Sequence, residues 1–163
     1  MVAILRRHVL VAIFVFACAC LVAGQTNPFV GTWKLVPERS HFDAPHPPKG
    51  TTLRFLIDKD QVRIEREITL WNGHTRSSVI IPQYDHQEHP FTISGETKHK
   101  THAVLSTRVD DRTIEQRINH DNGLEYTTER LSISLDGQTL TETDSGKRPD
   151  GTPYEFVLTF VRQ

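Results

Sequence analysis

Period-two alternation, interrupted at short intervals by tight-turn residues, dominates the chain after Gly50. Val62, Ile64, Ile68 and Leu70 share one parity, with Arg63, Glu65, Glu67 and Thr69 on the other. Leu53, Phe55 and Ile57 alternate likewise, as do Ile114 with Ile118, Ile133 with Leu135, and Tyr154, Phe156, Leu158 and Phe160. Successive strand side chains point to opposite faces, so each run makes one apolar and one polar face. Between the runs stand Asp58-Lys59-Asp60, Asn72-Gly73, Asp110-Asp111, Asp121-Asn122-Gly123, Asp136-Gly137 and Pro149-Asp150-Gly151. Such residues supply the positive φ angles of tight hairpins.

Strands of about eight to eleven residues joined this way must hide both their inner face and their edges, and closure does both. The expected fold is therefore all-β, a single antiparallel up-and-down β-barrel of about 8–10 strands. An open sandwich is the alternative. Pro82 and Pro90 predict a distorted strand and a long loop over Pro82–Gly95, and Pro37, Pro45, Pro47 and Pro48 predict a stiff connector over Glu38–Gly50.

The chain begins differently. Arg6, Arg7 and His8 precede an unbroken apolar run from Val9 to Ala23, followed by Gly24, Gln25 and Thr26. A basic start, a short apolar stretch and a small-residue exit describe a secretory signal peptide over residues 1–24, a signal helix ahead of a barrel domain at 25–163. The run is shorter than the roughly 20 residues of a membrane span, so no stable span is expected after cleavage. The two cysteines, Cys18 and Cys20, both lie in this run. The expected location is secreted or periplasmic, with lipid anchoring at Cys18 or Cys20 as the minor alternative.

Residues 1–24 also distort the composition. The chain is 37% apolar over 163 residues, but 20 of the first 24 are apolar, leaving about 29% for the rest. Without the leader, 17 Lys+Arg face 20 Asp+Glu. That mild acidity offers no basic field for nucleic acid, and the domain has no cysteine with which to staple itself.

Asn27-Pro28-Phe29-Val30-Gly31-Thr32-Trp33-Lys34-Leu35 follows the leader. Its Gly-x-Trp resembles the first barrel strand of lipocalins and fatty-acid-binding proteins, the calycin superfamily. The resemblance implies that Trp33 closes one barrel end and packs against an Arg late in the last strand, a place held by Arg162. It makes Gly31, Trp33 and Arg162 fold-defining residues. The whole chain also resembles small secreted bacterial proteins known only as lipocalin-like. They share a Ser-x-Phe like Ser40-His41-Phe42, a Pro-rich connector like Pro45–Pro48, and a stretch like Asp136-Gly137-Gln138-Thr139-Leu140-Thr141. The helix pair that lids fatty-acid-binding proteins has no counterpart, and no ligand class follows from the resemblance.

Among charged residues, Arg66 shares the apolar parity of its strand and is expected inside. A guanidinium there needs an acceptor: an acidic group of a ligand, an inward acid, or water at the rim. Glu142 is such an acid, because a hairpin at Asp136-Gly137 sets Leu131 opposite Glu142 and Ile133 opposite Leu140. Internal pairing or rim placement is preferred to ligand binding. Arg130 is ambiguous: parity carried from Leu124 and Tyr126 turns it inward, parity carried from Leu131 and Ile133 turns it outward, and a bulge between Thr127 and Leu131 would reconcile them. Pointing inward, it would form an anion clamp with Arg66, near Tyr126 and Gln116.

Eight histidines follow the leader, with His86, His89, His99 and His102 in the densest groups. They are weak candidates for a metal, which would need three or four converging groups. No nucleophile motif or phosphate loop is present, so neither enzymatic activity nor a cofactor is expected. The reading is a monomeric barrel that holds a small hydrophobic or amphipathic molecule against residues such as Phe55, Ile64, Leu105, Ile118, Tyr126, Ile133 and Phe156. A ligand-free structural module of the cell envelope is the alternative, and metal or haem binding through the His-rich loops the third.

Overall fold

A computed structural model of the chain describes residues 27–59, 61–96, 101–120, 125–148 and 150–163. The expected leader, with Cys18 and Cys20, lies outside them. Among the described residues no helix is long and apolar enough to cross a membrane.

The fold is a nearly closed antiparallel β-barrel. β1 (Gly31–Leu35) leads through a 3₁₀ turn (Pro37–Arg39) to β2 (His41–Phe42). β3 (Gly50–Asp58), β4 (Gln61–Thr69) and β5 (Thr75–Ile80) then meander to an irregular stretch holding β6 (His89–Phe91) and β7 (Ile93–Ser94). β8 (His102–Asp110), β9 (Thr113–His120), β10 (Glu125–Ile133), β11 (Thr139–Lys147) and β12 (Pro153–Arg162) complete the circuit. Neighbours pair in the order β6-β8-β9-β10-β11-β12-β1-β3-β4-β5-β7.

Two prolines explain the seam. β5 and β8 are the strands that closure would join, and the Pro82–Gly95 region stands between them. Its first fragment pairs with β8 and its second with β5. One kinked strand thereby serves both edges in turn. The Pro-rich connector is similarly local. β1 pairs with Phe160–Arg162 and β2 with Phe156–Val157, so both run along β12 with the 3₁₀ turn stepping out between them. Ser40 mends that gap: its Oγ accepts from the Thr159 N–H at 3.0 Å and donates to the Val36 carbonyl at 2.9 Å. This gives the Ser-x-Phe sequence a structural task.

The apolar residues concentrate at one end of the barrel. Phe29, Trp33, Leu53, Phe55, Ile114, Leu131, Leu140 and Phe160 are wholly buried there. The Trp33 indole donates to the Phe29 carbonyl at 2.9 Å, and the Arg162 guanidinium lies 4.1 Å from the indole centroid. Arg162 also donates to the carbonyls of Gly137, Val30 and Pro28 at 2.8, 2.6 and 2.6 Å. Gly31 is required beside it: its φ is +139°, and a Cβ would stand 2.6 Å from Arg162 Nη1.

Arg162 thus ties the chain's first and last strands and the β10–β11 turn into one floor. Arg162→Ala should lower the free energy of urea unfolding by about 3 kcal/mol, because three partly buried carbonyls lose their donor together. Arg162→Lys should recover less than half, since an ammonium cannot fork to three acceptors or stack flat on the indole.

Candidate functional site

Above the apolar floor the inner face turns polar. Ile64 and Ile68 set the parity of β4, and Arg66 between them projects inward. Leu131 and Ile133 do the same for β10, bringing Glu129 inside, and Leu140 for β11, bringing in Glu142 and Asp144. Arg66 donates to Glu142 Oε1 at 2.8 Å and Oε2 at 3.0 Å, and to Glu129 Oε2 at 2.7 Å. Glu142 is 0% and Glu129 3% exposed, and the Arg66 side chain is 18% exposed. Below them Gln116, also buried, donates to Ser106 Oγ at 3.0 Å.

Ligand-type oxygens of Glu129, Glu142 and Asp144 lie within 4.8 Å of one another, and the guanidinium of Arg66 binds the first two. Burial alone would ease deprotonation of Arg66, but Glu129, Glu142 and Asp144 together outweigh it and raise its pKa. Burial pushes Glu129 up to about 7, with Arg66 opposing and Glu142 adding to the rise. Burial, then the charges of Glu142 and Glu129, holds Asp144 well above the usual carboxylate range.

A chamber of about 190 Å³ opens beside this network, lined by Arg66, Ser78, Ile80, Phe91, Ile118, Thr127, Glu129, Asp144 and others. It continues into a mouth of about 380 Å³ between Pro45, Glu96, His102, Arg148 and Tyr154. The two share Arg76, Ile93, His120 and Thr127. At the mouth Glu96 Oε2 is 2.9 Å from His102 Nε2, and His102 Nδ1 is 2.8 Å from His120 Nδ1. Which ring nitrogen donates in each contact depends on the histidine tautomers. Tyr154 crosses the opposite rim, its hydroxyl 2.7 Å from Thr127 Oγ1. Its ring fits because position 146 is glycine; a Cβ there would come within 2.7 Å of that hydroxyl.

The residues singled out in the sequence divide sharply. Arg66, Glu142 and Gln116 are inside, and Gly31, Trp33 and Arg162 form the floor. Tyr126 and Arg130 are outside. Tyr126 is 40% exposed under the Arg117 guanidinium, 4.8 Å from its ring centroid, and Arg130 pairs with Glu115 on the outer face. The bulge that would have turned Arg130 is missing, since β10 pairs with β9 without a break from Glu125 to Ser132. The one register shift in this region falls in β8, between Arg108 and Asp110. The anion clamp of Arg66 with Arg130 therefore does not form. Leu105 is likewise misplaced: His102, Val104 and Ser106 hold the inner parity of β8. Phe156 packs only partly buried against the core.

His86 sits exposed in the loop before β6 at φ +61°, and His89 pairs with Asp85 at 3.0 Å. His99 lies outside the described residues. His102 instead meets His120 and Glu96.

Glu129, Asp144, Arg76 and His120 were not singled out in the sequence. Extending parity backward from Leu131 finds Glu129, and extending it forward from Glu142 finds Asp144. Arg76 needs the β4–β5 register, Ile68 opposite Arg76, which no residue announces.

No protein-family model and no curated protein matches the sequence. Among solved structures, that of EF1p2_mFAP2b bound to DFHBI is similar, with a TM-score of 0.43 and 10% identity, covering 83% of this chain and 94% of that one.

The raised carboxylates have a measurable consequence. A folded-state pKa above the ordinary value of 4.5 means that the folded chain holds the proton more tightly. The resulting stability is full below about 4.5 and is lost as pH rises through about 7. Urea unfolding should therefore show stability falling by roughly 1–3 kcal/mol between about pH 5 and about pH 8, and Glu129→Gln should flatten that slope.

Proposed function

We propose that this chain is an exported, lipocalin-like barrel that holds a small molecule non-covalently in the chamber beside Arg66. The observation that carries the reading is the chamber itself, continuous with an open mouth and walled by a buried charge network together with Ile68, Ile80, Phe91, Ile93 and Ile118. Clefts of this kind, concave and with a few convergent polar groups, are the usual form of small-molecule sites. The Gly-x-Trp opening, the meander and the Trp33–Arg162 stack support the lipocalin-like assignment. The basic and apolar start of the sequence supports export with removal of residues 1–24.

The size limits the ligand. The inner chamber, at about 190 Å³, corresponds to roughly six waters at liquid density, and only with the mouth of about 380 Å³ does the space enter the roughly 300–1,000 Å³ range of drug-sized sites. Trp33, Phe29, Phe55 and Phe160 already fill the apolar end. The occupant is thus a small polar or amphipathic molecule rather than a long acyl chain.

The reading can be tested by titrating the protein with small fragments of differing charge while recording amide NMR shifts at Ser78, Ile93 and Thr127. At least one fragment should shift these residues saturably, and Ser78→Phe, which fills the chamber, should abolish the response without lowering the unfolding midpoint. If no fragment does so, the ligand-free envelope module becomes the better reading. Export is checked by the mass of the released protein. A product beginning after Gly24 supports it, and a lipid adduct on Cys18 or Cys20 would identify the anchored form instead.

A further inference from the structure

Arg66 cannot serve all the acid around it. Its terminal nitrogens are taken by both oxygens of Glu142 and one of Glu129. Asp144 Oδ1 is shut off from solvent and has no hydrogen-bond partner. On β5, Arg76 Nε is shut off and unpartnered in the same way. Both residues line the one chamber. Buried polar atoms are rarely left unpaired, and these two are of opposite sense. One asks for a donor and the other for an acceptor.

The chamber lining carries groups of both signs. They are Arg66 from β4, Arg76 from β5, His120 from β9, Glu129 from β10 and Asp144 from β11. Two carboxyl groups therefore share it with two guanidiniums, while Glu142 is bound to Arg66 outside the lining. Arg66 already donates to Glu142 and Glu129, whereas Arg76 Nε has no partner. A ligand carboxylate or phosphate alone would satisfy Arg76 Nε but leave Asp144 Oδ1 without a donor. An ammonium group offers three donors on a compact cation, which suits an unpartnered carboxylate oxygen beside further acid. Between the polar ends, Ile80, Phe91, Ile93 and Ile118 leave room for a short apolar link.

We propose that the chamber selects a small primary ammonium compound that also carries a hydrogen-bond acceptor, the ammonium held at Asp144 and the acceptor at Arg76. The proposal rests on the reading of the chain as a ligand-binding barrel and names the class of its ligand. The bound ammonium favours ionised Asp144, so binding releases a proton to solvent, and affinity for the cation rises with pH across the range in which Asp144 and Glu129 deprotonate.

Three probes of similar length separate the possibilities: 4-aminobutanoate with both groups, butylammonium with the cation alone, and butanoate with the anion alone. Calorimetric and NMR titration of the unaltered protein should give the strongest binding for 4-aminobutanoate, with butylammonium next and butanoate at least tenfold weaker than butylammonium. Asp144→Asn should weaken both ammonium probes tenfold or more while sparing butanoate. Arg76→Gln should erase the advantage of 4-aminobutanoate over butylammonium. Butanoate binding in the chamber as tightly as butylammonium would overturn the ammonium assignment and leave the ligand-binding reading standing. Failure of every fragment, charged or neutral, to perturb the chamber would overturn both. Because the probe series needs no variant, poor folding of Asp144→Asn would not prevent the decision.

Discussion

The tie from Arg66 to Glu142 and Glu129 decides what kind of interior this barrel has. It spans from β4 to β10 and β11 across the inside, joining walls that share no backbone hydrogen bonds. Placing such charges away from water is costly, and only multiple well-formed hydrogen bonds offset the cost. Apolar filling from the Trp33 end is therefore interrupted at this tie. Beyond it the interior holds carboxylates of raised pKa, histidines and a chamber.

Much of this arrangement was legible because a strand has only two faces. Arg66 was placed inside by Ile64 and Ile68, and its partner Glu142 by a hairpin register that the structure reproduces, Leu131 opposite Glu142 and Ile133 opposite Leu140. The same reasoning left Arg130 undecided because one of its two parities began from Tyr126, an aromatic residue that sits on the outer face beneath Arg117 rather than in the core. A large apolar ring is a poor guide to direction when a cation can cover it. Had Leu131 set the parity for all of β10, Glu129 would have emerged as the second acid. The pairing of His102 with His120 was hidden for another reason: it depends on the register of β8 against β9, and sequence spacing among histidines says nothing about it.

The two ends of the barrel are stabilised by different physics. At the floor, Arg162 stacks on Trp33 and satisfies carbonyls of three segments, so a charged residue there acts as packing and as a cap on loose backbone. At the chamber, charge is turned inward and balanced against other charge, which makes that end responsive to pH. A lean apolar content suits this division, since only half of the interior has to be filled with hydrocarbon.

The kinked strand at the seam has a consequence for exchange with solvent. β6 and β7 together span only a few residues, each fragment is hydrogen-bonded to one side alone, and Phe91 and Ile93 from them form part of the chamber wall. The walls from β9, β10 and β11 belong to longer strands held on both sides. Opening of the ladder therefore costs least along this part of the chamber wall, and the wall can loosen there without the floor at Trp33 having to stir.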